Sequence, residues 1–227
     1  MGDVLVTTIV LAAGRGRRLG GPKALLCWPL LPQKWIVPLG AAHVEARHES
    51  DRVLVVTRAD LAAVLRQVAP TTFAPPGKGR LVASEAPDEL GPAGSLAAAV
   101  THGVAGELAL VTPVDCPPAS GKTVQALLEA LETQPDALAA KPRYEGRGGH
   151  PVALRRVALD RYRQPDPPPL RDHLRSLGER VLSVSVADAT VRVDIDERRD
   201  FLRWVRRHGG GAVDDVAFFG ADDASRP

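Results

Sequence analysis

The chain has 227 residues, a formal net charge of +2, 44% hydrophobic residues and only 4% aromatic ones. That length predicts one large domain with an aliphatic core, and so mild a net charge gives no argument for nucleic-acid binding, which usually shows a concentrated basic stripe. Two cysteines, Cys27 and Cys116, make no disulfide framework, and no apolar run approaches the ~20 residues of a membrane span. A reducing cytoplasm is the expected compartment. The acidic Met1-Gly2-Asp3 start runs into an apolar stretch and lacks the character of a signal peptide.

Thr8 to Ala13 reads as a buried strand. It opens into a loop carrying Gly14, Gly16, Gly20 and Gly21, with Arg15, Arg17 and Arg18, and then Pro22-Lys23. Glycine lets successive N–H groups turn toward one point, and such concave clusters bind anions. The added cations suit a multiply charged phosphate ligand; the alternative is a basic surface connection without a ligand. A Walker A loop fails here, because Pro22 precedes Lys23 and Ala24 stands where a hydroxyl is required. The dinucleotide fingerprint fits poorly, since Gly20 falls one residue too far from Gly16 and Pro22 disfavours helix before it.

From Cys27 to Pro38, three prolines predict irregular chain. Trp28 and Trp35 are read as covering the core edge, with a partner surface as the alternative. A short helix follows over Gly40 to His48, then a strand over Arg52 to Thr57. Asp60 to Val68 is an amphipathic helix, ended by Pro70. A turn over 74–79 leads to a strand over Arg80 to Ala86. Alternating strands and helices argue for a parallel sheet.

Pro92 and Gly94 precede a helix from Ser95 to His102. Ser95 would sit in its first turn, as a ligand contact or as a cap. The strand from Leu108 ends in Asp115, followed by Cys116-Pro117-Pro118. Ligands in open α/β sheets bind beyond the carboxyl ends of strands, so Asp115 is expected beside the first loop. Gly121 to Thr133 is a helix and Ala137 to Tyr144 a strand. Gly146 to Val152 is a glycine-rich turn between strands, where Arg147 and His150 either meet an anionic ligand or, for His150, serve structure. The proline-rich stretch 163–169 is a surface loop. Leu170 to Leu177 is a helix and Val181 to Val186 a strand. Asp194 and Asp196 are then placed at alternate strand positions, on one face, where two carboxylates repel unless a cation answers them. They also suit the N-terminus of a following helix, Glu197 to His208. Residues 209–227 read as a flexible acidic tail, leaving 1–208 as the domain.

Leu11-Ala12-Ala13-Gly14-Arg15-Gly16-Arg17-Arg18-Leu19-Gly20-Gly21-Pro22-Lys23-Ala24-Leu25-Leu26 resembles the signature loop of the molybdopterin cytidylyl/guanylyltransferase-like NTP transferase family, within the nucleotide-diphospho-sugar transferase superfamily. Asp115-Cys116-Pro117, Tyr144 to Val152 and Asp194-Ile195-Asp196 resemble its later motifs, although Cys116 and the missing Thr-Pro after Asp196 depart from it. The resemblance implies a three-layer, Rossmann-like α/β fold with a mainly parallel sheet and helices on both faces. It implies that Leu11, Ala12, Ala13, Gly14 and Gly16 wrap a nucleotide with Arg18 and Lys23 on its phosphates. Ser95 then lies near base and ribose, and Gly149 and His150 complete the ligand set. It makes Asp115 a metal ligand, with Asp196 favoured over Asp194 as the second carboxylate. Arg18, Lys23 and Asp115 are the expected catalytic residues.

The implied activity moves an NMP from CTP or GTP to a phosphorylated small-molecule acceptor, plausibly molybdopterin, and releases pyrophosphate. Ala12-Ala13-Gly14 leans toward CTP. Mg²⁺ is the expected cofactor, with Mn²⁺ as its substitute, and a protein that receives the product is a candidate partner. A sugar-phosphate nucleotidyltransferase and a non-catalytic nucleotide-binding protein are the alternatives.

Overall fold

A computed structural model describes residues 5–30, 35–47, 50–208 and 215–220. The N-terminal Met1-Gly2-Asp3, the end of the expected helix at His48, part of the 27–38 stretch and most of the expected tail lie outside these residues. In chain order the strands and helices are β1 (Val6–Leu11), β2 (Cys27–Leu30), β3 (Trp35–Pro38), α1 (Leu39–Glu45), β4 (Arg52–Thr57), α2 (Ala59–Val68), α3 (Pro70–Phe73), β5 (Gly79–Ala83) and α4 (Gly91–Gly103). They continue with β6 (Leu108–Pro113), α5 (Gly121–Thr133), β7 (Ala139–Tyr144), β8 (Arg147–Gly148), β9 (Val152–Arg155), α6 (Arg156–Leu159), α7 (Leu170–Leu177), β10 (Val181–Ser185) and α8 (Arg198–His208).

The main sheet runs β10-β7-β9-β6-β1-β4-β5, with β8 on β7. β1 pairs in parallel with β4 and β6, and β4 with β5, while β9 is antiparallel to both β6 and β7. Central strands are apolar at successive positions because both faces are covered. Val10, Val53 and Val55 face α1, α2 and α8, while Ile9, Leu54 and Val56 face α4. Leu127 and Leu131 of α5 pack on Leu108, Leu110 and Ala140. No helix of the described residues is long and apolar enough to cross a membrane.

Chain order reverses between β1 and β6. β4 and β5 lie on one side of β1, and β6 on the other. The register sets Leu11 beside Pro113, so the two strand ends open at the same level. That crevice is where α/β sheets bind ligands.

Three expectations are corrected. Residues 27–30 and 35–38 are not irregular: β2 and β3 form a two-stranded antiparallel ladder outside the main sheet. Its Trp28 is buried, with its ring 4.0 Å from that of Trp204, but Trp35 is 69% exposed. Val191 to Asp196 is not a strand. Asp188 accepts the Thr190 N–H and starts a 3₁₀ turn over Ala189–Arg192, after which the chain is irregular. Finally, 215–220 does not hang free. Cys27 N–H donates to Ala217 C=O, Phe219 N–H donates to Leu25 C=O, and Asp215 takes a two-pronged contact from Arg198 at 2.6 and 2.9 Å.

Candidate active site

The loop after β1 folds on itself. Gly16, at φ +60°, offers its carbonyl to the N–H groups of Leu19, Gly20 and Gly21. A Cβ on Gly16 would stand 1.9 Å from the Gly21 carbonyl oxygen, so only glycine closes this turn. Pro22 then starts a 3₁₀ turn over Lys23–Leu25 that points Lys23 into the crevice.

Lys23 joins three remote segments. Its Nζ donates to Asp115 Oδ2 at 2.7 Å and to Asp196 Oδ1 at 2.6 Å. Arg18 reaches Asp196 Oδ2 at 3.0 Å. Lys23 is only 13% exposed. Burial works against its charge, but the hydrogen bonds and fields of Asp115 and Asp196 outweigh burial and hold its pKa above the ordinary value. Asp196 is held below its ordinary value, first by the Lys23 hydrogen bond.

The Asp115 segment is fixed from several sides. Val114 N–H donates to Leu11 C=O, and Ile195 N–H donates to Asp115 C=O. From beneath, His43 Nε2 donates to Val114 C=O at 3.0 Å and Arg47 donates to Ala119 C=O at 2.9 Å. Sequence reasoning missed both supports, for a lone His and a lone Arg around a short helix carry no local signal.

Asp194 and Asp196 do not share a face, because the strand that would align them does not form. Asp196 turns to Lys23 and Arg18. Asp194 turns the other way, and its Oδ1 accepts the Cys116 S–H at 3.1 Å. One donor atom each from Asp115, Cys116 and Asp194 lie within 4.8 Å of one another. This cluster offers one set of donors for a divalent cation, beside the Asp115 and Asp196 oxygens that share Lys23.

Two cavities meet here. The first, 610 Å³, is lined by Leu11, Ala13, Gly14, Gly16, Arg18 and Lys23 of the loop, and by Ser95, Asp115 and Asp196. Ala12 lies beneath it, fully buried, with its N–H on Val56 C=O and its carbonyl accepting the Thr57 hydroxyl. Ser95 is not in the first helical turn, since α4 starts at Gly91; it is a buried wall residue. The second cavity, 860 Å³, is lined by Gly149, His150 and Asp194, with Lys141, Arg171, Arg175 and Arg192 around them. Leu11, Pro92 and Pro113 border both. Among the described residues, neither Lys141 nor Arg192 makes an ion pair. Arg147 is exposed on β8 and lines neither cavity.

Among the described residues, His150 has its Nδ1 buried without a partner. Burial lowers its pKa, against the pull of Asp194 and Asp115. Gly149 has a steric reason to be glycine: a Cβ would lie 2.0 Å from the Val191 carbonyl oxygen. Gly149→Ala should therefore push the 191–196 segment away, at a cost near or above the top of the usual range of about 0.5–3 kcal/mol. A lowered thermal unfolding midpoint is the readout, and an unchanged one would contradict this packing.

The chain matches the MobA-like NTP transferase domain over residues 8–184. Comparison with curated protein sequences returned no match. Among solved structures, a homolog of Mycobacterium tuberculosis Rv0371c from Mycobacterium sp. strain JC1 is similar with a TM-score of 0.67 at 28% identity, covering 90% of this chain and 96% of that one. The manganese complex of Rv0371c from Mycobacterium tuberculosis H37Rv gives 0.62 at 22%, covering 89% and 98%. CMP:2-keto-3-deoxy-manno-octonic acid synthetase complexed with CTP gives 0.66 at 15%, covering 92% and 100%. At the identities of the last two, the likeness shows the fold.

Proposed function

The chain belongs to the MobA-like NTP transferase family and is a nucleotidyltransferase of that type; from this premise we propose that it moves CMP from CTP onto a phosphorylated small-molecule acceptor, with a molybdopterin-type phosphate as the leading candidate. The observation that carries the reading is the convergence on Lys23. A glycine-rich basic loop and carboxylates from two distant segments meet within 2.7 Å of one ammonium. Here these charges neutralise each other. A triphosphate gives Lys23 and Arg18 a stronger anion and frees Asp115 from Lys23 to bind a cation.

The first cavity receives the nucleotide and the second the acceptor. Lys141 and Arg192 supply cations for the acceptor. The acceptor phosphate oxygen bonds to the α-phosphorus, the bond from that phosphorus to the α,β-bridging oxygen breaks, and pyrophosphate leaves. The nucleophile is already anionic, so no general base is required. The protein contributes positioning and fixed charge. Asp115 and Asp194 would hold Mg²⁺ or Mn²⁺, which when bound would neutralise charge on the α-phosphate.

Pyrophosphate release should be measured with CTP, GTP, ATP and UTP, with either cation, against pterin, sugar and polyol phosphates. Metal-dependent release with CTP at least as fast as GTP supports the reading. No release with any acceptor, together with no NTP binding, overturns it. Arg192→Ala should raise the acceptor KM about tenfold or more, as expected for a charge-assisted contact of roughly 1.5–3 kcal/mol, while the CTP KM stays unchanged. Equal rises in both constants would remove the assignment of the second cavity.

A further inference from the structure

Cys116 has no part in the reaction described above, yet it lies among the groups that carry it. Its side chain is buried, and its Sγ is 3.1 Å from Asp194 Oδ1. With single oxygens of Asp115 and Asp194 it completes a set of three donor atoms, all within 4.8 Å of one another. Donors around one divalent ion stand about 3 to 4.6 Å apart, given bonds of about 2.0–2.3 Å. The three side chains therefore fit a single ion with little movement. The Ile195 N–H to Asp115 C=O bond ties the two segments that bear them.

A set of carboxylates alone suits Mg²⁺, which prefers oxygen donors. Sulfur changes that preference toward softer ions. We propose that Cys116 supplies a sulfur ligand to the cation held by Asp115 and Asp194, so that this centre prefers thiophilic ions such as Co²⁺ and Zn²⁺ to Mg²⁺. The inference rests on the nucleotidyl-transfer reading for the presence of a cation and goes beyond it in the cation's identity. On ligation a metal–sulfur bond forms, the S–H bond breaks and the proton leaves to solvent; nothing is oxidised or reduced. A divalent charge beside the thiol favours its thiolate.

The test is a Co²⁺ titration of the full chain, with and without CTP, followed by absorption. A near-ultraviolet sulfur-to-cobalt charge-transfer band is expected. Cys116→Ser should lose the band and weaken Co²⁺ binding by about tenfold or more, since even a group that merely supports a metal ligand is worth that much. Mg²⁺ binding should be little changed. Cys27→Ser, on β2 and outside this set, should keep the band, and so assigns it to Cys116 even if Cys116→Ser fails to fold. Cobalt binding without the band overturns the inference and leaves Cys116 as an S–H donor that positions Asp194. No cobalt binding under either condition overturns it together with the metal-dependent reading. Pyrophosphate release with identical metal dependence in wild type and a folded Cys116→Ser overturns the sulfur ligand alone.

Discussion

Replacing Lys23 with methionine should cut pyrophosphate release about a thousandfold in a protein that still folds. Methionine keeps most of the length and the apolar stem of lysine but removes the charge. One preorganised donor to a developing charge is worth about 10²–10³ in rate, and Lys23 also orders two carboxylates. Its loss leaves Asp115 and Asp196 facing each other without the ammonium between them. Lys23→Arg should not restore activity, because a planar guanidinium cannot replace a compact ammonium in so enclosed a slot. The same change should alter the pH dependence of stability. Lys23, with its folded pKa above 10.5, adds stability that is complete below 10.5 and is lost as pH rises through the folded value. Asp196, with its folded pKa below 3.8, adds stability present above 3.8 and lost as pH falls through the folded value. Both contributions should shrink in Lys23→Met. Steady-state release within tenfold of wild type would show that Lys23 is not at the reacting phosphates.

The parts of this site that sequence reveals are those with local chemistry. Gly14 to Lys23 is legible because glycine spacing and cations are properties of one short stretch. Asp115 is legible because it ends an apolar strand. Other features depend on distant partners. The alternation of Val191, Val193 and Ile195 with polar residues reads as a strand, but no neighbouring strand takes up its hydrogen bonds. Ile195 instead bonds Asp115, and Val193 bonds back to Thr190. That single difference turns Asp194 toward Cys116 and Asp196 toward Lys23 and Arg18. Prolines hid the β2–β3 ladder, although a two-stranded ladder has only edges and tolerates residues without an N–H. The docking of 215–220 did leave a trace, since Phe218-Phe219 is an unusual pair in an acidic tail. A Cβ on Gly21 would stand 2.9 Å from the Phe218 ring, so this segment also buttresses the phosphate loop.

Acidification from pH 7 to 4.5 should cost about 2–3 kcal/mol through His43 alone. His43 is fully buried, its Nε2–H donates to Val114 C=O, and its Nδ1 has no partner among the described residues. Burial first, and the Arg47 charge second, lower its pKa from 6.5 to about 3. The unfolded chain therefore takes up the proton first. Stability is complete above about 6.5 and falls by about 1.4 kcal/mol per pH unit below it, levelling off near pH 3. For a domain worth about 5–15 kcal/mol this is a large share. The proton also acts at the site, because Val114 precedes Asp115 and protonated His43 cannot stay in its dry slot. His43→Gln removes the titration but keeps a donor for Val114 C=O. His43→Leu removes both and should cost a further 1–3 kcal/mol or so at every pH, from the unsatisfied carbonyl. Urea unfolding at pH 7, 6, 5 and 4.5 separates these cases. Wild type should lose stability more steeply than His43→Gln, and parallel slopes for the two would mean that His43 is not the proton acceptor.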